Sequence, residues 1–355
     1  MPTIKDVAKR AGVSPATVSR VLVDGPHVTA DKRQRVLAAI RELDYRPDQV
    51  ARSLRRRRSN LMALVVSTIE NPFFTEVARA AEQCANRHGY NLLISNTDEN
   101  LERERAYFEI FSQQLVAGVV LAPAPGDVAA RDYLHNGSLP VVLVNRRLDG
   151  VPCPSIVADD EEAAFACVRV LIGDGRRRFA AITGLPGIST TTARQGGFRR
   201  ALNDAGLVAD PALEVSGDAT VEGGYRAAHH VMRSPSPPDA IFVHNNVMTQ
   251  GAMLALEDLG LRWPEQVDVT GFGVFSQAGL YRPPLTLIAQ PTREMGERAV
   301  ELLVNRIHTA AEDWGAQIVL PNRVITRDDW LRTHEQMRAG VLPLPMPIPT
   351  SRVLS

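Results

Sequence analysis

The sequence lacks the features of a disulfide-stapled, secreted or membrane-spanning protein. Its 355 residues include three cysteines, Cys84, Cys153 and Cys167, which form no C-x-x-C pair. This odd, scattered set argues against a disulfide framework and a zinc site, and it favours small buried side chains in a reducing compartment. No apolar run approaches the ~20 residues that a membrane helix needs. Charged residues interrupt positions 5–10, which argues against a signal peptide, so we expect a cytoplasmic protein.

Enzyme signatures are missing as well. The sequence contains no G-x-G-x-x-G fingerprint, no Walker loop, no H-E-x-x-H and no G-x-S-x-G. Its eight histidines are scattered, and no paired acid and base stand out. We therefore expect no catalytic residue, no cofactor and no bound metal.

Charge is divided unevenly along the chain, although the net charge is zero. Residues 1–58 carry a net charge of +8 and the remainder carries −8. A basic N-terminal part on an acidic body predicts a polyanionic partner for the N-terminal part alone. The alternative is a solvated charged face, which is the common meaning of a run such as "RRRRS" (55–59).

Three short helices are predicted in the basic part. Thr3 and Asp6 have capping-box spacing, and Gly12 is a natural C-terminal cap. Ser14 is placed to cap the second helix, with Pro15 at its first position. The third helix is predicted to begin after a Thr29 cap, with an apolar stripe of Val36, Leu37, Ile40 and Leu43.

The spacing of the first two helices is typical of a helix-turn-helix, whose second helix enters the major groove of DNA. The first residues of that helix have small side chains, which allow close approach to the bases. Arg20 can donate to guanine O6 and N7 through two nitrogens of its guanidinium. The Thr17 and Ser19 hydroxyls suit phosphates. The alternative is an ordinary three-helix packing unit.

From residue 61 onward, short apolar runs alternate with amphipathic helical patterns, which predicts parallel sheets covered on both faces. There are enough units for two doubly wound lobes, in which ligands bind at the carboxyl ends of the strands. The predicted strands are 61–67, 90–96, 118–123, 141–145, 178–184, 239–245 and 267–273; the predicted helices include 75–88, 101–114, 161–172, 192–205 and 247–259.

The motifs "TIKDVAKRAGVSPATVSRVL" (3–22) and "YRPDQVARSL" (45–54) resemble the LacI/GalR family of transcriptional regulators. The resemblance continues through "NPFF" (71–74) and "PPLTLIAQPTREMGERAVELL" (283–303) to about residue 331. It implies an α/β protein with an all-α helix-turn-helix head and two lobes of the periplasmic-binding-protein type. The implied parts are a head (1–46), a hinge segment (47–58) and an effector-binding and dimerisation domain (59–331, with crossovers near 157–161, 285–290 and 316–320). The tail (332–355) falls outside the resemblance, and its alternation of proline with apolar residues predicts a disordered strip.

The family implies a set of DNA-contacting residues in the head and hinge. Leu54 matches a leucine that wedges into the central base step of the operator, and Arg55 follows it. The alternative for Leu54 is one more apolar residue in a linker. The expected DNA-binding residues are Thr3, Ser14, Pro15, Ala16, Thr17, Ser19, Arg20, Leu54 and Arg55.

Family positions also imply the residues of an effector cleft. Arg194 matches a ligand-clamping arginine, and its fork suits vicinal hydroxyls or a carboxylate. Phe73 or Phe74 could stack on a flat ligand, with one of the two expected in the core. The expected effector-binding residues are Phe73, Phe74, Asn145, Arg146, Asp159, Arg194, Asn246 and Gly273.

Two of these positions depart from the family pattern, because Asn246 and Gly273 stand where aspartates are usual. The site therefore loses two carboxylates while keeping Arg146 and Arg194. From this we expect an anionic effector such as a sugar acid or sugar phosphate, although Asp159 or Asp160 could still serve a neutral sugar.

The prediction is thus a dimeric repressor that binds a palindromic operator and is released by a small carbohydrate-type effector. The family resemblance implies a dimer, because family members that tetramerise do so through a C-terminal heptad segment and the Pro-rich tail has no heptads. Two rival classes are a metabolic enzyme or carrier with a basic appendage, and an architectural DNA binder. The first does not explain Ser14, Pro15 and Arg20, and the second has no use for a cleft.

Overall fold

The computed structural model describes residues 2–22, 27–45, 59–135, 139–273, 284–309 and 317–338. The chain forms two compact units, Met1–Ser59 and Asn60–Ser355, here called the head and the body. None of the helices in these ranges is both long and apolar enough to cross a membrane.

The described residues of the head form three helices, α1 (Ile4–Ala11), α2 (Pro15–Leu22) and α3 (Ala30–Glu42). The capping box before α1 is confirmed: the Thr3 N–H and hydroxyl both donate to Asp6 Oδ2 at 2.8 Å, and the Asp6 N–H donates to Thr3 Oγ1. Gly12 ends α1 at φ +61°, a left-handed conformation that suits glycine.

The core of the head differs from the predicted stripe on α3. Val36 is fully buried, but Leu37 is 45% exposed, and Ala39 is the other buried residue of this helix. The small Ala39 side chain lies on the face that packs against α1, so Leu37, one position after Val36, points to solvent. Thr29 precedes α3, but its side chain makes no capping hydrogen bond.

The body contains two six-stranded sheets, which confirms the two-lobe prediction. The N-terminal lobe has the strand order β11-β5-β4-β3-β1-β2, and the C-terminal lobe has the order β12-β10-β9-β8-β6-β7. All pairings are parallel except β10 with β12. The strands are β1 (Leu61–Val66), β2 (Asn91–Asn96), β3 (Val119–Leu121), β4 (Val141–Val144), β5 (Ser155–Ala158), β6 (Phe179–Thr183), β7 (Glu214–Ser216), β8 (Ala240–Val243), β9 (Asp268–Gly273), β10 (Thr286–Ala289), β11 (Gln317–Leu320) and β12 (Arg323–Ile325).

Helices cover both faces of each sheet, so the central strands are continuous apolar runs such as "LMALVV" in β1 and "VVLV" in β4. The body helices are α4 (Pro72–Arg87), α5 (Leu101–Gln113), α6 (Asp132–His135), α7 (Asp160–Gly173), α8 (Ser189–Asp204), α9 (Val221–Met232), α10 (Asn246–Asp258), α11 (Thr292–His308) and α12 (Arg327–Arg338). Helix α12 includes residues 332–338, which the sequence assigns to the disordered tail, and residues 339–355 lie outside the described ranges.

The chain passes between the lobes three times, each time over one or two residues. It leaves the first sheet after β5 and enters α7 through Asp159. It returns between β10 and α11 through residues 290–291, and it crosses again between β11 and β12 through residues 321–322. The sequence places these crossovers near 157–161, 285–290 and 316–320.

Helices α7 and α8 approach closely because a glycine lies between them. A Cβ atom at Gly197 would lie 2.1 Å from the Glu161 carbonyl oxygen, whereas one at neighbouring Gly196 would meet no atom closer than 3.6 Å. This contact sets the position of α8 against the start of α7, and therefore the position of Arg194.

We expect opposite effects from two adjacent substitutions. Gly197→Ala should destabilise the protein by roughly 1–3 kcal/mol through overpacking, because the α7 backbone cannot yield easily. Gly196→Ala is the matched control and should stabilise by up to about 1 kcal/mol, as alanine does in a helix interior. Urea denaturation of both variants measures the difference, and equal shifts of their midpoints would rule out the close approach.

Candidate functional site

A cleft of about 460 Å³ lies in the body at the carboxyl ends of the strands. The segments that follow β1, β2 and β4 supply one wall, and those that follow β6, β7 and β8 supply the other. Gln290, in the second crossover, also lines it. The cleft therefore occupies the place where doubly wound folds bind ligands.

Six of the eight residues predicted for the effector site line this cleft. They are Phe73, Phe74, Asn145, Arg146, Arg194 and Asn246. Asn71 accepts a hydrogen bond from the Phe73 N–H at 3.0 Å and starts α4 at Pro72, so the two phenylalanines lie in the first turn of a helix. Both rings are buried, 5.0 Å apart in an edge-to-face contact, rather than one being core and the other available for stacking.

The other two predicted residues do not line the cleft. Asp159 lies in the first crossover, where its Oδ1 accepts the Asn322 backbone N–H at 2.6 Å, and burial raises the pKa of its carboxyl. Gly273 is buried at the end of β9, where an added Cβ would lie 3.2 Å from the Leu287 side chain. Asp159 thus joins the first crossover to the third, and Gly273 lies against the Leu287 side chain of β10.

Arg146 is buried and paired. Its Nη1 and Nη2 donate to the two carboxylate oxygens of Glu99 at 2.7 and 2.6 Å, and Nη1 also donates to the Pro123 carbonyl at 2.8 Å. Such a two-point pair is among the strongest charge-assisted contacts.

Arg194 is also buried and paired, on the opposite wall. Its Nε and Nη2 donate to Asp160 Oδ2 at 2.8 and 2.7 Å. Its guanidinium lies 3.7 Å from the centre of the Phe272 ring, and Nη1 donates to the His244 carbonyl. Asp160, rather than Asp159, is therefore the carboxylate that pairs with the arginine of this wall.

Carboxylates balance the positive charge of both arginines that line the cleft. Among the described residues, its lining contains two arginines, both paired with carboxylates, and four carboxylates, of which three also pair with arginines. The four are Glu70, Asp98, Glu99 and Asp218. The loss of aspartates at 246 and 273 does not leave a cationic site, because Glu99 and Asp160 supply negative charge.

Backbone strain is concentrated in the same place. Eight described residues other than glycine have positive φ, and five of them line the cleft: Asp98, Glu99, Asn145, Asp218 and Ala219. Left-handed conformations of non-glycine residues cluster at functional sites, where the surrounding structure holds them. The pairs 98–99 and 218–219 follow β2 and β7, the equivalent edge strands of the two sheets.

Four buried polar nitrogens of cleft residues have no hydrogen-bond partner within the described residues. They are Arg146 Nε, His244 Nε2, Asn246 Nδ2 and Gln290 Nε2. Buried polar groups are normally paired, so a group of unpaired donors in one cleft points to a ligand that carries acceptors.

His244 belongs to this group as a neutral side chain. It is 1% exposed, and burial, with a further effect of Arg194, lowers its pKa to about 3. The Gly184 N–H donates to Nδ1 at 3.5 Å, so Nε2 carries the proton and is a donor.

The head presents the predicted recognition residues at its surface. Thr3, Ser14, Pro15, Ala16 and Arg20 are exposed, and Thr17 and Ser19 are half-buried. The Thr17 N–H donates to Ser14 Oγ at 3.2 Å, which confirms Ser14 as the cap of α2. Leu54 and Arg55 lie outside the described residues.

A three-helix head with an exposed second helix and a two-lobed body around a polar cleft define a class: DNA-binding regulators with a ligand-binding domain. Comparison with family models agrees. The model described as "Bacterial regulatory proteins, lacI family" matches residues 3–48. The model described as "Periplasmic binding proteins and sugar binding domain of LacI family" matches residues 59–328. The chain belongs to the LacI family and is a DNA-binding transcriptional repressor.

Individual relatives cover almost the whole chain. It is 34% identical over 328 residues to the HTH-type transcriptional repressor PurR of Pasteurella multocida, covering 92% of this chain and 98% of that protein. A lac repressor dimer bound to operator and the anti-inducer ONPF has a TM-score of 0.81 at 27% identity, with 91% and 97% of the chains covered. A CelR–cellobiose complex has a TM-score of 0.69 at 29% identity, with 92% and 99% covered. These relatives are regulators and not enzymes, as the sequence predicts.

His244 gives the body a specific acid sensitivity. The unfolded chain binds a proton at this histidine near pH 6.5, and the folded chain does so only near pH 3. Stability therefore falls as the pH drops from 6.5 towards 3, by up to about 1.4 kcal/mol per pH unit from this residue. His244→Gln should flatten the fall between pH 6.5 and 4.5 in urea denaturation, whereas replacing the exposed His230 with Gln should change it far less. Parallel curves for wild type and His244→Gln would contradict this.

Proposed function

We propose that this repressor binds a near-palindromic operator as a homodimer and is released when a small, neutral, polyhydroxylated effector enters the cleft. The observation that carries the effector class is the pairing of both cleft arginines with carboxylates. The proposed setting is the cytoplasm, where operator and effector meet.

The operator half of the proposal is supported by the surface of α2. Its front carries Pro15, Ala16 and Thr17, which are small enough for close approach to the bases, and exposed Arg20 follows in the last turn. A dimer is supported by the similarity to the lac repressor, which was solved as a dimer bound to operator. A dimer with twofold symmetry binds a DNA site with matching twofold symmetry, which is a near-palindrome.

The effector half is supported by the chemistry of the cleft walls. Ten uncharged hydroxyl or amide side chains line it, beside carboxylates that accept from hydroxyl groups and unpaired nitrogens that donate to them. Such a mixture suits a molecule whose groups both donate and accept. CelR, a relative of similar fold, was solved with cellobiose, a neutral sugar. The ten side chains are those of Ser67, Thr68, Asn71, Asn145, Thr190, Thr191, Thr220, Asn245, Asn246 and Gln290.

The two binding events are coupled through the lobes. Effector binding that rotates the lobes changes operator affinity, and operator must then change effector affinity by the same factor. The effector can release the repressor from DNA only if it binds the operator-free form more tightly than the operator-bound form.

Arg20→Ala should weaken operator binding and relax the sequence preference at one base of each half-site. The expected cost is roughly 1–3 kcal/mol for each lost two-point contact with guanine. Selection of duplexes from a random library gives the preferred sequence, and titration at fixed salt gives the affinities. Arg41→Ala, an exposed arginine at the end of α3, is the control and should leave the base preference intact. An unchanged preference in Arg20→Ala would remove this residue from base recognition.

A thermal-shift screen tests the effector class directly. A ligand well above its Kd raises Tm, so we expect the largest shifts from neutral sugars and smaller ones from the matching sugar acids and sugar phosphates. A hit should also lower operator affinity in a titration with duplex DNA. A clear preference for the acids or phosphates would overturn the neutral-effector proposal and restore the anionic one.

A further inference from the structure

The N-terminal lobe places a charge pair, Arg146–Glu99, in the wall of the cleft. The two contacts of the pair, 2.7 and 2.6 Å, use both terminal nitrogens of the arginine. Its side chains are 9% and 20% exposed, so solvent screens the pair far less than a surface ion pair. The fork that would receive a ligand phosphate or carboxylate is therefore occupied by Glu99.

The backbone of Glu99 is held in an uncommon conformation. Asp98 and Glu99 have φ values of +50° and +57° in succession. Neither is a glycine, so the loop keeps this shape only because its surroundings fix it. The shape brings Glu99 to an arginine 47 residues further along the chain.

Glu99 neutralises the buried guanidinium of Arg146 and accepts from both of its terminal nitrogens. The Pro123 carbonyl also accepts from Nη1 at 2.8 Å, while Nε, one of the unpaired donors of the cleft, is left without a partner. Glu99 thus neutralises the positive charge of Arg146 and occupies its two terminal nitrogens. Only the Nε–H of Arg146 then remains as a donor towards the cleft.

We propose that Glu99 determines the charge selectivity of the cleft: by occupying the Arg146 fork, it excludes ligands with a phosphate or carboxylate and admits neutral ones. This inference rests on the proposed function in one respect, namely that the cleft is the effector site.

The test uses inorganic phosphate as the probe and the full-length protein. Isothermal titration at constant pH and ionic strength compares wild type with Glu99→Gln. The variant frees the Arg146 fork, and we expect it to bind phosphate about tenfold or more tightly than wild type, since a charge so close to a buried guanidinium acts through a low dielectric. Arg146→Gln combined with Glu99→Gln should abolish the gain.

Glu102→Gln is the matched control. It removes the same charge three residues away, from an exposed position in the first turn of α5 that does not line the cleft. Its phosphate affinity should equal that of wild type, including any binding to the basic head. An equal gain in Glu102→Gln would overturn the proposal, as would wild-type phosphate binding that is lost in Arg146→Gln.

The outcomes separate this proposal from the function proposed above. If no neutral sugar binds but Glu99→Gln gains phosphate affinity, the effector class is wrong and the role of Glu99 holds. If a neutral sugar binds and Glu99→Gln gains no phosphate affinity, the effector class holds and the role of Glu99 is wrong. Should Glu99→Gln fail to fold, as judged by circular dichroism and melting, Glu99→Ser makes the same comparison.

Discussion

The ion pair between Arg194 and Asp160 is the contact on which the body depends. Both side chains are almost fully buried, and a buried charge is tolerated only with its partner and further hydrogen bonds in place. Asp160 meets this need with both oxygens, since Oδ1 accepts from the Asn322 side chain at 2.9 Å while Oδ2 faces Arg194. One carboxylate thus joins α7, α8 and the third crossover at the wall of the cleft.

The head is organised by a different kind of contact. Its helices begin and end through bonds that span three or four residues, such as Thr3 with Asp6 and Ser14 with Thr17, and through the left-handed Gly12. Seven buried residues, all valine or alanine, form the core of its described part. Local chemistry can specify such a unit, whereas the cleft depends on residues that are far apart in sequence.

This difference decides what the sequence could predict. Long apolar runs and helix caps indicated the head, the two lobes and seven strands to within a few residues. The strands that the sequence did not predict have three or four residues each, which is too short to show a period; they are β5, β7, β10, β11 and β12. Six cleft residues were found from family positions. The pairs that set the charge of the cleft join residues 47 and 34 apart, and no local pattern reveals them. The partners of these arginines therefore follow from the fold and not from a count of arginines and missing aspartates.

The three crossovers limit how the lobes can move. Each has one or two residues between elements, and two extended residues span only about 7 Å. Translation that pulls the lobes apart would break strands β5, β10 or β11 from their sheets, whereas twisting about the crossovers changes only a few backbone dihedrals. We therefore expect access to the cleft to require rotation of the lobes about these crossovers rather than their separation.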